Sequence, residues 1–285
     1  MRAMVPSHAR TLRQVIVAGS LILLLILTGW MRAAPMQAQA RLPASMAAAG
    51  DSLTSAVGSG PRYFADNTAY SWASGASPEV NSLALRLATR NPALSGNVYN
   101  LARIGARMGD LPSQMSTVNA IKAEYVAVLM GGNDACAATE AAMTPVATFR
   151  RQFDTALARL AEGSPGARVL VLSIPDPTQL VSLLRDNRSA VAIWALFDVC
   201  PTALARPRSD APEDVARRER VRQRVAEYNQ QIAEVCAGYP QCRHDGGAVS
   251  GIRLEAADIS AYDYFHLSAR GQARLAEVAW AVAGF

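Results

Sequence analysis

The chain has 285 residues, 51% of them apolar, enough to bury one sizeable core. Its 28 basic residues outnumber 23 acidic ones, but four arginines and no acid lie in residues 1–40, which leaves 24 against 23 beyond them. With the remaining charges interleaved rather than gathered in a block, there is no electrostatic case for nucleic-acid binding.

The first forty residues read as an export leader. Arg2, Arg10 and Arg13 precede an uncharged apolar run over 15–30, and small residues ending in Ala38-Gln39-Ala40 supply a cleavage site. The run falls short of the roughly 20 apolar residues that comfortably cross a bilayer. Cleavage near Ala40 is therefore expected over an uncleaved anchor, giving a signal peptide over 1–40 and a single domain over 41–285.

Residues 45–49 form a short apolar run that breaks at Gly50, the pattern of a strand entering a sharp turn. Further strands are predicted over 97–101, 125–130 and 168–173, each apolar and bounded by Gly, Pro or polar residues. Helices are predicted over 82–88, over 144–161 with Phe149, Phe153, Ala156 and Leu160 on one stripe, and over 211–236. In the last, Val215, Val221, Val225, Tyr228, Ile232 and Val235 keep helical spacing. Ser268 can cap a final helix that turns Leu275, Val278 and Val282 inward. Residues 57–81 and 201–212 read as loops. Strands that are continuously apolar and alternate with helices indicate a three-layer α/β/α sandwich around a mainly parallel sheet of about five strands.

Four cysteines, Cys136, Cys200, Cys236 and Cys242, all follow the leader, and an even count in an exported chain indicates disulfides. Three connectivities are open. The near pair Cys236 with Cys242 is the easiest to close, which would leave Cys136 with Cys200. No C-x-x-C spacing suggests zinc.

In an open parallel sheet the reacting groups collect just past the strand ends. Gly50-Asp51-Ser52-Leu53 puts a serine in such a turn, expected near a helix N-terminus whose dipole favours an anion. Gly105, after the second strand, allows backbone to approach a substrate oxygen. Gly131-Gly132-Asn133-Asp134 follows the third strand, where Asn133 can aim its amide at a developing oxyanion. Asp263-Tyr264-Phe265-His266 precedes the last helix, with a spacing that lets a carboxylate orient an imidazole. An ordinary turn or cap competes with the chemical reading at each of these places. Beyond the leader only His244 and His266 remain as histidine bases, and His266 is preferred because His244 lies close to Cys242. G-x-S-x-G, H-E-x-x-H, Walker and dinucleotide-binding signatures are absent.

In this order, Gly50-Asp51-Ser52-Leu53, Asn100 with Gly105, Gly131-x-Asn133-Asp134 and Asp263-x-x-His266 resemble the SGNH (GDSL) hydrolase superfamily. Tyr70-Ser71-Trp72, Gly132-Asn133-Asp134-x-Cys136, Ser173-Ile174-Pro175-Asp176 and Asp245-Gly246-Gly247-Ala248 extend the likeness toward its phospholipase B-like and bacterial lipase branch. The resemblance implies a flavodoxin-like domain without metal or organic cofactor. It casts Ser52 as nucleophile, His266 as base and Asp263 as orienting acid, with an oxyanion hole from the Ser52 and Gly105 N–H groups and the Asn133 side chain. The expected protein is a monomeric, secreted or cell-surface esterase or lipase acting on small-molecule or lipid esters, phospholipids included, with transient contact to lipid surfaces. A carbohydrate or cell-wall acetylesterase and a non-catalytic surface binding protein of the same fold are the alternatives.

Overall fold

The structure, a computed structural model, describes Met1 and residues 41–285; the leader expected over 1–40 otherwise lies outside the described residues. Five parallel strands, β1 (Met46–Gly50), β2 (Val98–Asn100), β3 (Tyr125–Leu129), β4 (Arg168–Val171) and β5 (Cys242–His244), form one sheet in the order β2-β1-β3-β4-β5. From β1 the chain goes outward to β2 and then crosses back to β3 on the other side. The sheet order thus reverses between β1 and β3, and the crevice beyond their carboxyl ends is where open α/β sheets bind ligands.

Nine helices join these strands among the described residues. They are α1 (Leu83–Ala88), α2 (Leu111–Ile121), α3 (Gly132–Ala135), α4 (Val146–Gly163), α5 (Gln179–Leu184), α6 (Arg188–Leu196), α7 (Pro201–Leu204), α8 (Pro212–Cys236) and α9 (Ala269–Val282). Alternate residues of each strand point to opposite faces. Met46, Ala48, Tyr125, Ala127 and Leu129 pack with Leu83 and Leu87 of α1 and Leu275 and Ala276 of α9. Ala47, Ala49, Val126 and Val128 pack against Met115 of α2, Phe149 and Phe153 of α4, and Ile232 of α8. Cover on both faces explains why the strand runs are continuously apolar. Residues 41–285 form one compact unit that carries the whole sheet and both of these cores.

The four predicted strands are present within two residues at each end. β5 was not foreseen: it is three residues at the sheet edge, Cys-Arg-His, with no apolar run to betray it. The stripe on α4 is buried as predicted, and the Ser268 hydroxyl accepts the Gly271 N–H at the start of α9. α2 was missed because Pro112 opens it and the polar Gln114 interrupts its inward face of Leu111, Met115 and Val118. Two further expectations are corrected. α7 stands inside the predicted loop 201–212. Val215 is exposed, and its neighbour Asp214 turns inward instead, held by Arg206 and Arg217.

Both disulfides follow the expected pairing, Cys136 with Cys200 and Cys236 with Cys242. The first ties the end of α3 to the loop before α7. The second closes the short connection from α8 into β5.

Candidate active site

β1 ends at Gly50, where a side chain is impossible: a Cβ would lie 2.3 Å from the Leu129 carbonyl oxygen of β3. Gln114 of α2 holds both main-chain groups of this glycine, accepting its N–H at 2.7 Å and donating to its carbonyl at 2.9 Å. Ser52 follows at once, 6% exposed, at the carboxyl end of the sheet. The helix expected after it is not formed. The Thr54 and Ser55 N–H groups bond the Asp51 carbonyl as in one helical turn, but Ala56 adopts φ 61° and breaks the run. Any dipole acting on Ser52 is that of a single turn.

His266 lies 214 residues away in sequence, yet its Nε2 stands 2.8 Å from Ser52 Oγ. Its Nδ1 is 2.7 Å from Asp263 Oδ2. The other carboxylate oxygen, Oδ1, accepts the Phe265 N–H at 2.9 Å and the His266 N–H at 3.0 Å, so the turn itself fixes the acid. Burial works to raise the Asp263 pKa, but the hydrogen bond and charge of His266, with these two N–H groups, hold it below the ordinary carboxylate value. A proton on Nδ1 satisfies both ring contacts, leaving Nε2 as an acceptor for the Ser52 hydroxyl.

Asn133, in α3 just past β3, lines the same pocket as Ser52. One N–H of its amide donates to the Ala106 carbonyl at 3.0 Å, which leaves the second for another acceptor. Gly105 directly precedes Ala106 and adopts φ 74°, a conformation that suits glycine. Among the described residues no hydrogen bond engages the N–H of Ser52 or of Gly105. The loop carrying Gly105 is pinned at both ends: the Arg103 N–H donates to the Gly50 carbonyl at 3.2 Å, and the Met108 N–H to Asp134 Oδ2 at 2.8 Å.

Asp134 and Asp51 are positioning groups whose part is not evident in the sequence. Asp134 also accepts the Thr144 hydroxyl at 2.7 Å, joining α3, the Gly105 loop and the start of α4. Burial raises its pKa despite the Thr144 and Met108 bonds. Asp51 accepts the Leu53 N–H at 3.0 Å. Burial pushes its carboxyl up to about 6, against the opposing effects of that bond and of the His266 charge. Asn100 and Gln272 brace the serine turn from either side, donating to the Thr54 and Leu53 carbonyls, each at 2.9 Å.

His244 belongs elsewhere. It ends β5, accepts the Gly246 N–H at its Nδ1 and lies 3.2 Å from Asp245 through Nε2. Burial lowers its pKa, with Asp245 opposing. Asp245 is taken up by the Ser173 hydroxyl and N–H and by the Val249 N–H, a knot at the end of β4 and β5.

Beside Ser52 opens a cavity of about 70 Å³. Its wall beyond Ser52 and Asn133 is mostly apolar, with Leu53, Ile174, Leu180, Leu254, Ile259 and Phe265 prominent, and Cys136 of the first disulfide contributes to it.

A model of the GDSL-like Lipase/Acylhydrolase family matches residues 48–274, which run from within β1 through the other four strands and include the four motif blocks. The chain belongs to this family. As a GDSL-like protein it is an ester hydrolase. A search of curated proteins gives no match. Among solved structures, the extracellular lipase of Streptomyces rimosus is similar at 20% identity and a TM-score of 0.50, with 84% of this chain and 99% of that chain covered. An alpha/beta hydrolase enzyme from the metagenome of Lake Arreo, Spain, gives 19% identity and a TM-score of 0.51 over 84% of this chain and 94% of that one. A lipase from a goat rumen metagenome gives 15% and 0.51 over 84% and 96%. At these identities the likeness is one of fold, and it agrees with the α/β/α sandwich expected for a GDSL-like chain.

Proposed function

We propose that this GDSL-like protein is an exported serine hydrolase that cleaves carboxylic esters with apolar acyl chains through an acyl-enzyme on Ser52. The observation that carries the reading is the unbroken relay of Ser52 Oγ, His266 and Asp263, with contacts of 2.8 and 2.7 Å, at the wall of an apolar cavity. Ser52 Oγ attacks the ester carbonyl carbon while its proton passes to His266 Nε2. Asp263 keeps the imidazole in the right tautomer and steadies the imidazolium that results. The negative oxygen of the tetrahedral intermediate is met by the free N–H groups of Ser52 and Gly105 and the second amide N–H of Asn133, donors worth about 3 kcal/mol apiece in such sites. Collapse breaks the bond to the alcohol, which leaves with the proton from His266. Water then attacks the acyl-enzyme, gives its proton to His266 and releases the acid, restoring Ser52.

A lipid-type acyl group is favoured by the leucine, isoleucine and phenylalanine lining, and the similar protein from Streptomyces rimosus is described as an extracellular lipase. An acetylesterase for carbohydrates would call for a shallow polar cleft instead. Export is supported by two disulfides and by the composition of residues 1–40, with cleavage near Ala40. Among the described residues no helix is long and apolar enough to cross a membrane.

The test is fluorophosphonate labelling of purified residues 41–285 beside Ser52→Ala, with turnover of p-nitrophenyl esters from acetate to palmitate. Labelling and turnover should vanish in the variant, and longer acyl chains should be preferred. A folded wild type that neither labels nor turns over would overturn the mechanism.

A further inference from the structure

The turn that carries Asp263 and His266 also carries Tyr262, and Tyr262 begins a strip of aromatic surface. Its ring packs edge-on against Tyr63 at 4.4 Å between centroids. Phe64, next in sequence to Tyr63, meets Phe197 at 5.8 Å, and Leu196 adjoins Phe197 at the end of α6. Tyr63, Phe64, Leu196 and Phe197 each keep more than half of their surface exposed, and Tyr262 more than a third. Single exposed apolar residues are ordinary, but five contiguous ones contributed by three separate segments are a patch that calls for a partner.

The patch is mounted firmly. Trp194 of α6 donates from its indole to the Tyr264 carbonyl at 3.1 Å, and the Cys136–Cys200 disulfide anchors the chain three residues beyond Phe197. Ser260 donates to the Gly58 carbonyl at 2.8 Å and Ser59 to the Leu267 carbonyl at 2.8 Å, so the segment leading to Tyr63 is fastened to the Asp263 turn. Phe64 sits at φ 49°, backbone that bulky L-residues seldom occupy. The fold thus holds the Phe64 ring in water at some conformational cost.

We infer that this strip docks the enzyme on a neutral or zwitterionic lipid surface, placing the mouth of the Ser52 cavity against the phase that holds its substrate; the inference rests on the proposed hydrolysis of apolar esters. Two observations select this partner. The turn that contributes Tyr262 to the strip also contributes Phe265, three residues on, to the lining of the apolar cavity. Its charged neighbours in sequence, Arg62, Asp66 and Asp198, are of both signs with no basic excess, which suits a surface without net charge and not an anionic one. Tyrosine and phenylalanine together, apolar with a polar edge, match the boundary between headgroups and acyl chains.

The experiment uses residues 41–285 and phosphatidylcholine vesicles. In a Ser52→Ala background, which leaves the lipid intact, co-sedimentation is compared with and without Tyr63→Ser, Phe64→Ser and Phe197→Ser. The intact patch should bind vesicles and the triple variant should lose at least tenfold in partitioning. With Ser52 present, the triple variant should melt cooperatively and hydrolyse monomeric p-nitrophenyl acetate as the parent does. Equal partitioning of the two, or no binding by either, overturns the proposal, as does a patch-dependent dimer in sedimentation, which would make a second copy the occupant. A protein that labels with fluorophosphonate but ignores vesicles refutes the docking alone; one that binds vesicles through the patch but never labels refutes the hydrolase reading alone.

Discussion

The Gln114 side chain bonds both main-chain groups of Gly50, accepting at 2.7 Å and donating at 2.9 Å across 64 residues of sequence. A helix outside the sheet thereby sets the strand end from which Ser52 projects. Gln114→Leu should leave the buried Gly50 N–H without a partner and its carbonyl with the Arg103 N–H alone, destabilising the fold by about 1–3 kcal/mol. Urea unfolding gives the loss directly, and kcat should fall with it, whereas a purely peripheral Gln114 would leave both unchanged.

The Asp51 carboxyl is pushed up to about 6 by burial, above its unfolded value of 3.8. Between those values the folded state binds the extra proton, so this group favours folding in acid and its contribution is lost as pH rises through about 6. Asp51→Asn removes the ionisation while keeping an acceptor for the Leu53 N–H. The variant should match the wild type near pH 4 and be the more stable by up to about 3 kcal/mol at pH 7. Thermal melts of both proteins across that range check the sign.

Asp263 acts in the opposite sense: its folded pKa is lowered, so its contribution is present above the ordinary carboxylate value and lost as pH falls through the folded one. Asp263→Asn should reduce kcat by roughly 10³–10⁴-fold, by favouring the wrong imidazole tautomer, with little change in KM. Ester turnover against pH measures it; a loss under tenfold would mean that His266 is oriented by its backbone alone.

Leu254 lines the cavity beside Ser52 without being fully buried. Leu254→Trp should fill space that a chain needs, cutting turnover of long p-nitrophenyl esters by about tenfold, near the worth of one to two methylenes. Hydrolysis of the acetate should be spared. Equal losses on both esters would point to damage in the catalytic groups instead.

Ser52, Asn133, Asp263 and His266 could be singled out from sequence because each stands just past an apolar run or just before a helix, where a polar residue is not needed for packing. Asp134 lay within the same motifs, yet its task of joining the Gly105 loop to the start of α4 appears only once those segments are adjacent, and the burial of Asp51 is equally invisible in the sequence. Gln114 and Gln272 carried no signal at all, since their partners lie 64 and 219 residues away. β5 was hidden for a different reason. An edge strand of three residues needs little apolar character, and Cys242 there serves a disulfide.

Ser52 follows the first strand and His266 precedes the last helix, 214 residues later. On the proposed mechanism neither half of the chain has any hydrolytic capacity by itself. A nascent chain is on that mechanism chemically silent toward esters, and competence arrives only when the segment before the C-terminal helix has brought His266 to Ser52. Ester turnover is for the same reason a direct gauge of the fraction of molecules that have completed their fold.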